Sequence, residues 1–371
     1  MAMKKKTIKK AAKKVAKKQS KAKAAKPVKS TKKPAAKKAA KQVTKKVAKK
    51  TVKKTAPKKS TKVVAKKAAP KAAKASGASD KDLEASLLEL IRVTSAELPD
   101  DVQKVILEAL EREEKNTTAE YAMNIIKANI DLAKKKSQPL CQDTGTVLFY
   151  VAHPVGFNQS KFTKLIEKAV VEATKKGYLR QNSVDSLTGE NSGLNIGPGH
   201  PSIHYHEHAK STVEVKLMLK GGGCENVGAQ YSLPHTALGA GRDLDGVRKV
   251  ILDAVHKAQG KGCGPGVLGV CIGGDRGAGY IESKEQLLRK LDDKNTNASL
   301  AELETEIVET SNKLGIGPMG FGGKTTLLGC KISALNRLPA SFFVSISYMC
   351  WAFRRQGIEL SSNNTIKKWL Y

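Results

Sequence analysis

The first 75 residues hold 31 lysines, no arginine and no acidic side chain, and the first aromatic residue of the chain is Tyr121. Lysines at that density repel one another. The alanine, valine, threonine and proline between them, in degenerate repeats such as Ala-Ala-Lys-Lys-Val-Ala-Lys-Lys, bury little apolar surface. That cannot offset an ordering entropy of about 1–2 kcal/mol per residue for the backbone alone. Folding is therefore confined to the chain beyond this tail. Of 67 basic residues, 36 lie beyond position 75 against 34 acidic ones, so the net charge of +33 belongs almost wholly to the tail. The sequence predicts a disordered tail over residues 1–78, with Ser76 to Ser79 as the joint, and one folded domain over 79–371.

The tail does not read as a targeting leader. It has no uninterrupted apolar stretch and none of the arginine that transit peptides favour. No apolar run approaches the roughly 18 residues of a membrane span, so no membrane association is expected. Six cysteines in a chain of this size make no dense disulfide framework, which points to a reducing cytoplasm.

From Ser79 the pattern turns helical. Ser79 and Asp80 can cap a helix with Leu83, Leu87, Leu88 and Ile91 on one face. Pro99 suits the first position of a second helix carrying Val102, Val105, Ile106 and Leu110. A third carries Tyr121, Ile125, Ile126, Ile130 and Leu132. Thr146 to Val151 then reads as a buried strand. Further helices are predicted over 160–177, 243–259, 282–290 and 299–313. Strands are predicted over 212–220, 266–272, 325–332 and 341–347 from their β-branched and aliphatic content. The fold class is mixed α/β (α+β): N-terminal helices, then alternating helices and strands around a ligand site.

Residues 140–146, Leu-Cys-Gln-Asp-Thr-Gly-Thr, place a soft metal ligand, Cys141, beside an amide and a carboxylate, Gln142 and Asp143. The following Thr144-Gly145 suits a tight turn that exposes backbone N–H groups. Cys263 lies in Gly-Lys-Gly-Cys-Gly-Pro-Gly, and Cys350 in Ser-Tyr-Met-Cys-Trp-Ala-Phe-Arg-Arg. Three thiolates can hold a cubane iron–sulfur cluster and leave one iron open as a Lewis acid. Glycine clusters at 221–223, 273–274 and 315–323 let backbone approach a ligand closely. Several such loops, each near a cysteine or Asp143, suggest one site assembled from distant segments.

Each motif also has a plainer explanation. A cysteine is by default a small buried hydrophobe. Cys271, inside an apolar strand, and Cys330, at the end of one, read as core, and Cys224 in the triple-glycine loop is ambiguous. Without a Cys-x-x-Cys pair, spacing alone leaves Cys141, Cys263 and Cys350 under the same plain reading. His204, His206 and His208 alternate and could share a metal-binding strand face, but a solvated face preceding a hairpin is favoured. Gly-Phe-Gly-Gly-Lys-Thr-Thr is not a phosphate loop, because Pro318 stands where that pattern needs glycine. A carboxylate-binding turn with Lys324 is the remaining expectation there.

Taken together, six segments in order resemble the class I, iron–sulfur-dependent fumarate hydratases and the related tartrate dehydratases. They are 139–146, Tyr-Leu-Arg at 178–180, Lys-Gly-Gly-Gly-Cys-Glu-Asn at 220–226, Cys263 to Gly274, 315–324, and 339–355. The resemblance covers roughly residues 80–371. It implies a 4Fe-4S cluster on Cys141, Cys263 and Cys350, with Cys224 falling where many relatives have serine. It further implies substrate contacts from Gln142, Asp143, Arg180, Gly222 and Gly223. Arg180 suits bidentate capture of a carboxylate. Asp143 suits a hydrogen bond to a substrate hydroxyl better than direct contact with a dianion.

The resemblance implies a hydro-lyase that hydrates fumarate to malate, with tartrate or another 2-hydroxy-diacid as the alternative dicarboxylate substrate. Single-chain members carry a second domain with further cationic and proton-transfer groups. This chain resembles the α subunit of the two-subunit form, an oligomer with a separate β subunit that would hold the catalytic acid and base. Some relatives place a histidine twelve residues before the third cysteine; here that position is Leu338. The tail resembles the arms of linker-histone-like proteins. A histone-like nucleic-acid-binding protein is therefore the competing reading, with nonspecific DNA or RNA held by residues 1–75.

Overall fold

The computed structural model describes residues 79–371, so the expected tail over 1–78 lies outside the described residues. The described part opens with three helices: α1 (Asp80–Ala96), α2 (Asp100–Arg112) and α3 (Thr118–Lys136). Ser79 and Thr117 cap α1 and α3 by accepting the Asp82 and Glu120 backbone N–H groups. Such caps satisfy donors that a helix start cannot pair internally. Next come β1 (Thr146–Pro154), α4 (Gln159–Lys175), β2 (Ser202–His208), β3 (Val213–Lys220), the single-turn α5 (Gly222–Asn226) and β4 (Ala229–Ser232). The chain continues as α6 (Leu244–Ala258), β5 (Gly266–Gly273), α7 (Arg276–Gln286), α8 (Ala298–Asn312) and β6 (Leu327–Leu335). It ends as β7 (Phe343–Met349), β8 (Arg355–Leu360) and β9 (Ile366–Trp369).

Two sheets result, in the orders β2-β1-β3-β8-β9 and β4-β7-β5-β6. The mixed α/β expectation holds. Alternation along β1 shows how the layers form: Val147, Phe149 and Val151 face one core with α1 and α4, while Leu148 and Tyr150 face another with α2 and α3. Leu87, Leu90 and Ile91 of α1 are fully buried in the first core. Each such side chain contributes about 1.5–3 kcal/mol of transfer free energy. The second sheet packs β5, β6 and β7 against α6 and α8.

Several local expectations need correcting. No hairpin follows the histidines: β2 and β3 both pair with β1, β2 in parallel and β3 antiparallel, so β1 lies between them. Helix α7 begins well before 282, because Asp275 caps it by accepting from Gly277 and Ala278. The strands expected over 325–332 and 341–347 run two to three residues further, as β6 and β7. On α3 the buried face is Ala119, Ala122, Met123, Ile126, Ile130 and Ala133, whereas Tyr121, Ile125 and Leu132 are exposed. Leu338 is also exposed, at the opposite end of β7 from Cys350.

Among the described residues no helix is long and apolar enough to cross a membrane.

Candidate functional site

Strand ends from both sheets supply one junction. β1 starts where β3 ends, with Thr146 paired to Lys220. That puts the Cys141 loop beside the triple glycine. β5 starts where β7 ends, with Val267 paired to Met349, which puts Cys263 beside Cys350; the Trp351 N–H also donates to the Cys263 carbonyl at 3.3 Å. Residues 350–354 then cross from the second sheet to the first, where the Leu219 N–H donates to the Arg354 carbonyl at 3.0 Å. The three predicted cysteines thus come from loops held against one another by main-chain pairing.

Gly145 is needed for the first of these contacts. Its φ is +75°, and a Cβ there would sit 2.2 Å from the Lys220 carbonyl oxygen. Asp143 ties the same loops together through its side chain. One oxygen accepts the Gly222 N–H at 2.7 Å and the other accepts Asn182 Nδ2 at 3.1 Å. Arg180 is held by its backbone, donating to Thr144 Oγ1 at 2.8 Å and accepting from Asn195 Nδ2 at 2.8 Å; its residue is exposed. Gln142, Gly222 and Cys263 are exposed as well, Cys141 and Gly223 are half-buried, and Cys350 is buried.

The floor of this junction is electrostatically unusual. Lys220 and Arg354 are fully buried. Among the described residues Arg354 Nε and Nη1 have no hydrogen-bond partner, and Lys220 Nζ has only the Glu225 carboxylate, 3.4 Å away. Cys224, left ambiguous by the sequence, lies here too, its thiol against that of Cys350. The Cys350 hydrogen bond draws the Cys224 thiol down to about 7, against burial and with help from Lys220 and Arg354. The partner thiol of Cys350 rises in consequence. Partial shielding, with Cys224, Cys141 and Asp143 nearby, raises the Cys263 thiol. Lys220 and Arg354 fall inside two of the family-like segments, but nothing there marks them as buried; a buried cation is recognised only once its neighbours are known.

Other candidates resolve differently. Cys271 and Cys330 are buried in β5 and β6, Cys330 inside its strand rather than at its end. The glycine-rich turn at Lys324 does bind a carboxylate, but it is the chain's own: Glu113 accepts from the Lys324 and Thr325 N–H groups at 2.9 and 2.8 Å. His204 stacks on Tyr150 with ring centroids 4.9 Å apart, and His206 lies 3.3 Å from Glu285.

The profile of the fumarate hydratase (Fumerase) family matches residues 84–359. The chain belongs to the fumarate hydratase family. It is 54% identical over 293 residues to a protein of Geobacillus stearothermophilus named as a class I fumarate hydratase, covering 78% of this chain and 57% of that one. The chain thus spans little more than half the length of that relative. It is 34% identical to a protein of Methanocaldococcus jannaschii named as an L(+)-tartrate dehydratase subunit alpha, over 72% of this chain and 94% of the other. The L(+)-tartrate dehydratase subunit alpha of Escherichia coli K12 is 30% identical over 74% of this chain and 89% of its own length. Membership places the chain in a family of hydro-lyases.

The donor set suits the iron–sulfur cluster that this family membership implies. Cysteine thiolates are the ligands such clusters take, and the buried Arg354, whose Nε and Nη1 meet no acceptor among the described residues, favours an anionic occupant. Among the described residues no three His, Cys, Asp or Glu side chains converge tightly enough for a single metal ion. A cubane spans more space than one ion, so its ligands stand further apart.

Proposed function

We propose that this chain is the cluster-binding α part of a hydro-lyase that reversibly hydrates fumarate to malate, working with a separate β subunit. The observation that carries this reading is the meeting of the Cys141, Gly222, Cys263 and Cys350 loops around Asp143, whose two oxygens are already fixed by Gly222 and Asn182. Cys141, Cys263 and Cys350 would hold the 4Fe-4S cluster. When bound, that cluster supplies an iron without a protein ligand as a Lewis acid toward a substrate hydroxyl and carboxylate.

The chain's own residues divide the remaining work. Arg180, exposed at the rim, captures one substrate carboxylate with its planar fork. Asp143 presents a positioned oxygen to the substrate hydroxyl. Gly222 gives its N–H to Asp143, so its part is to orient that carboxylate. The Gly223 N–H lies in the first turn of α5, where no intrahelical acceptor exists, and is free to face substrate. Further cations, and the acid and base of the reaction, are assigned to the β subunit. The higher identity to the fumarate hydratase relative than to the tartrate dehydratase subunits supports fumarate as substrate. The basic tail is assigned a separate role, nonspecific binding of nucleic acid.

The test is anaerobic co-expression of the full chain with a candidate β chain, followed by reconstitution and assay of fumarate and tartrate. Fumarate hydration only in the presence of the β chain is expected. Full turnover by the isolated chain would overturn the two-subunit reading, and faster turnover of tartrate would overturn the substrate.

A further inference from the structure

Arg354 and Arg355 are adjacent, both fully buried, and opposite in their pairing. Arg355 donates to the Leu287 and Arg289 carbonyls and to the Asp101 carboxylate. Arg354 is 1% exposed, and among the described residues its Nε and Nη1 meet no acceptor. A guanidinium cannot escape by losing its proton. Burying such a charge unpaired is strongly unfavourable, so a fold that keeps it there needs an anion to meet it.

Among the described residues no carboxylate pairs with Arg354. At the floor, the Glu225 carboxylate is divided between two ammonium groups: Lys284 Nζ at 2.7 Å and Lys220 Nζ at 3.4 Å. Asp143 spends its oxygens on Gly222 and Asn182. The point where a Cβ on Gly221 would stand is 3.1 Å from Asp143 Oδ2 and 3.9 Å from Arg354 Nη2. The guanidinium therefore lies directly behind the site, within electrostatic reach of the Cys350 and Cys224 sulfurs.

We propose that Arg354 is the counter-charge of the cluster site, its orphaned Nε and Nη1 donors serving the Cys350 thiolate and the sulfides of a bound iron–sulfur cluster. The inference rests on the cluster reading of the same site. In this role Arg354 is a positioning residue. It sets how firmly the cluster is retained, and, by holding a positive charge beside it, how readily the cluster accepts an electron. Lys220 adds to the same field from the end of β3. Hydrogen bonds to cluster sulfurs and local charge are recognised determinants of both properties.

Arg354→Met keeps the apolar stem and removes the charge and donors; Arg354→Lys restores the charge alone. Three readouts on the full chain separate the possibilities: the rate of cluster loss to a chelator under anaerobic conditions, the reduction potential, and thermal unfolding of the cluster-free protein. The methionine variant should lose its cluster about 10–100-fold faster than wild type and show a more negative potential. Its cluster-free form should unfold at the same or a higher temperature, since an unpaired buried cation has been removed. The lysine variant should fall between. Unchanged retention and potential would overturn the proposal, as would a cluster-free methionine variant that unfolds much earlier than wild type. A raised KM for fumarate with unaltered cluster loss would assign Arg354 to the substrate and overturn it too. Wild-type protein that takes up no cluster would instead overturn the parent reading, and this inference with it.

Discussion

Arg355 meets Asp101 across 254 residues of chain, Nη2 to Oδ2 at 2.5 Å, with both side chains buried. The bridge joins the start of α2 to the start of β8, and the ring of Tyr371 covers the guanidinium 4.4 Å from its centroid. It anchors the strand that continues directly from the Cys350 crossover, so the site's floor depends on an ion pair outside the site.

That pair makes stability depend on acid. Burial works against the charged carboxyl of Asp101, but the Arg355 hydrogen bond and charge, with the Leu291 N–H, outweigh it and hold its pKa below the ordinary value. An unfolded aspartate titrates at about 3.9. The stabilisation is therefore fully present above that value and is lost as pH falls through the lower, folded one. Asp101→Asn should cost about 3–5 kcal/mol at neutral pH, because Arg355 is left buried and unpaired. Urea unfolding at pH 7 and near pH 3 checks this. The gap between variant and wild type should narrow at the lower pH, and a gap that stays constant would show that the charge of Asp101 is not what matters.

A second prediction separates ligands from core cysteines. Serine at Cys141, Cys263 or Cys350 should abolish the visible absorption of the anaerobically reconstituted protein, whereas serine at Cys271 or Cys330, buried in β5 and β6, should leave it. Cys224 is the informative intermediate. It touches Cys350 but sits inside the apolar cluster with Met218 and Phe353, so Cys224→Ser should keep the cluster and shift its rate of assembly. Equal loss of iron in all six variants would count against the assignment.

The parts of the site that could be read from the sequence are those whose chemistry is local. Cys141, Gln142 and Asp143 stand together in one turn, and glycine at 145 follows from a backbone approach that no side chain permits. The helices were legible for the same reason, since their caps and periodicity lie within a few residues. Long-range pairing was not. That β1 lies between β2 and β3 decides which face His204 and His206 occupy, and nothing within the histidine run encodes it. The burial of Arg354 and Lys220 was invisible because a cation in a sequence reads as surface until packing encloses it. On α3 the apolar periodicity was real, but two apolar faces were present and only one is covered.

The last prediction concerns residues 1–75. Their 31 lysines stand without acidic neighbours to neutralise them and without arginine or aromatic side chains. Lysine is a compact charge that suits phosphate but cannot read base edges with a bidentate fork. The tail should therefore bind duplex DNA and RNA without sequence preference. Each phosphate neutralised releases counterions, so the logarithm of affinity should fall against the logarithm of salt with a slope of about −0.9 per contact on duplex DNA. The described residues carry the whole cysteine site, so the tail should contribute nothing to turnover. Deleting residues 2–75 should abolish retention on DNA and leave the activity of the α–β complex within about twofold of the full chain, because a near-neutral remainder offers few phosphate contacts. Binding that survives the deletion with the same salt slope would move the nucleic-acid site into the folded part, and lost turnover would tie the tail to the enzyme.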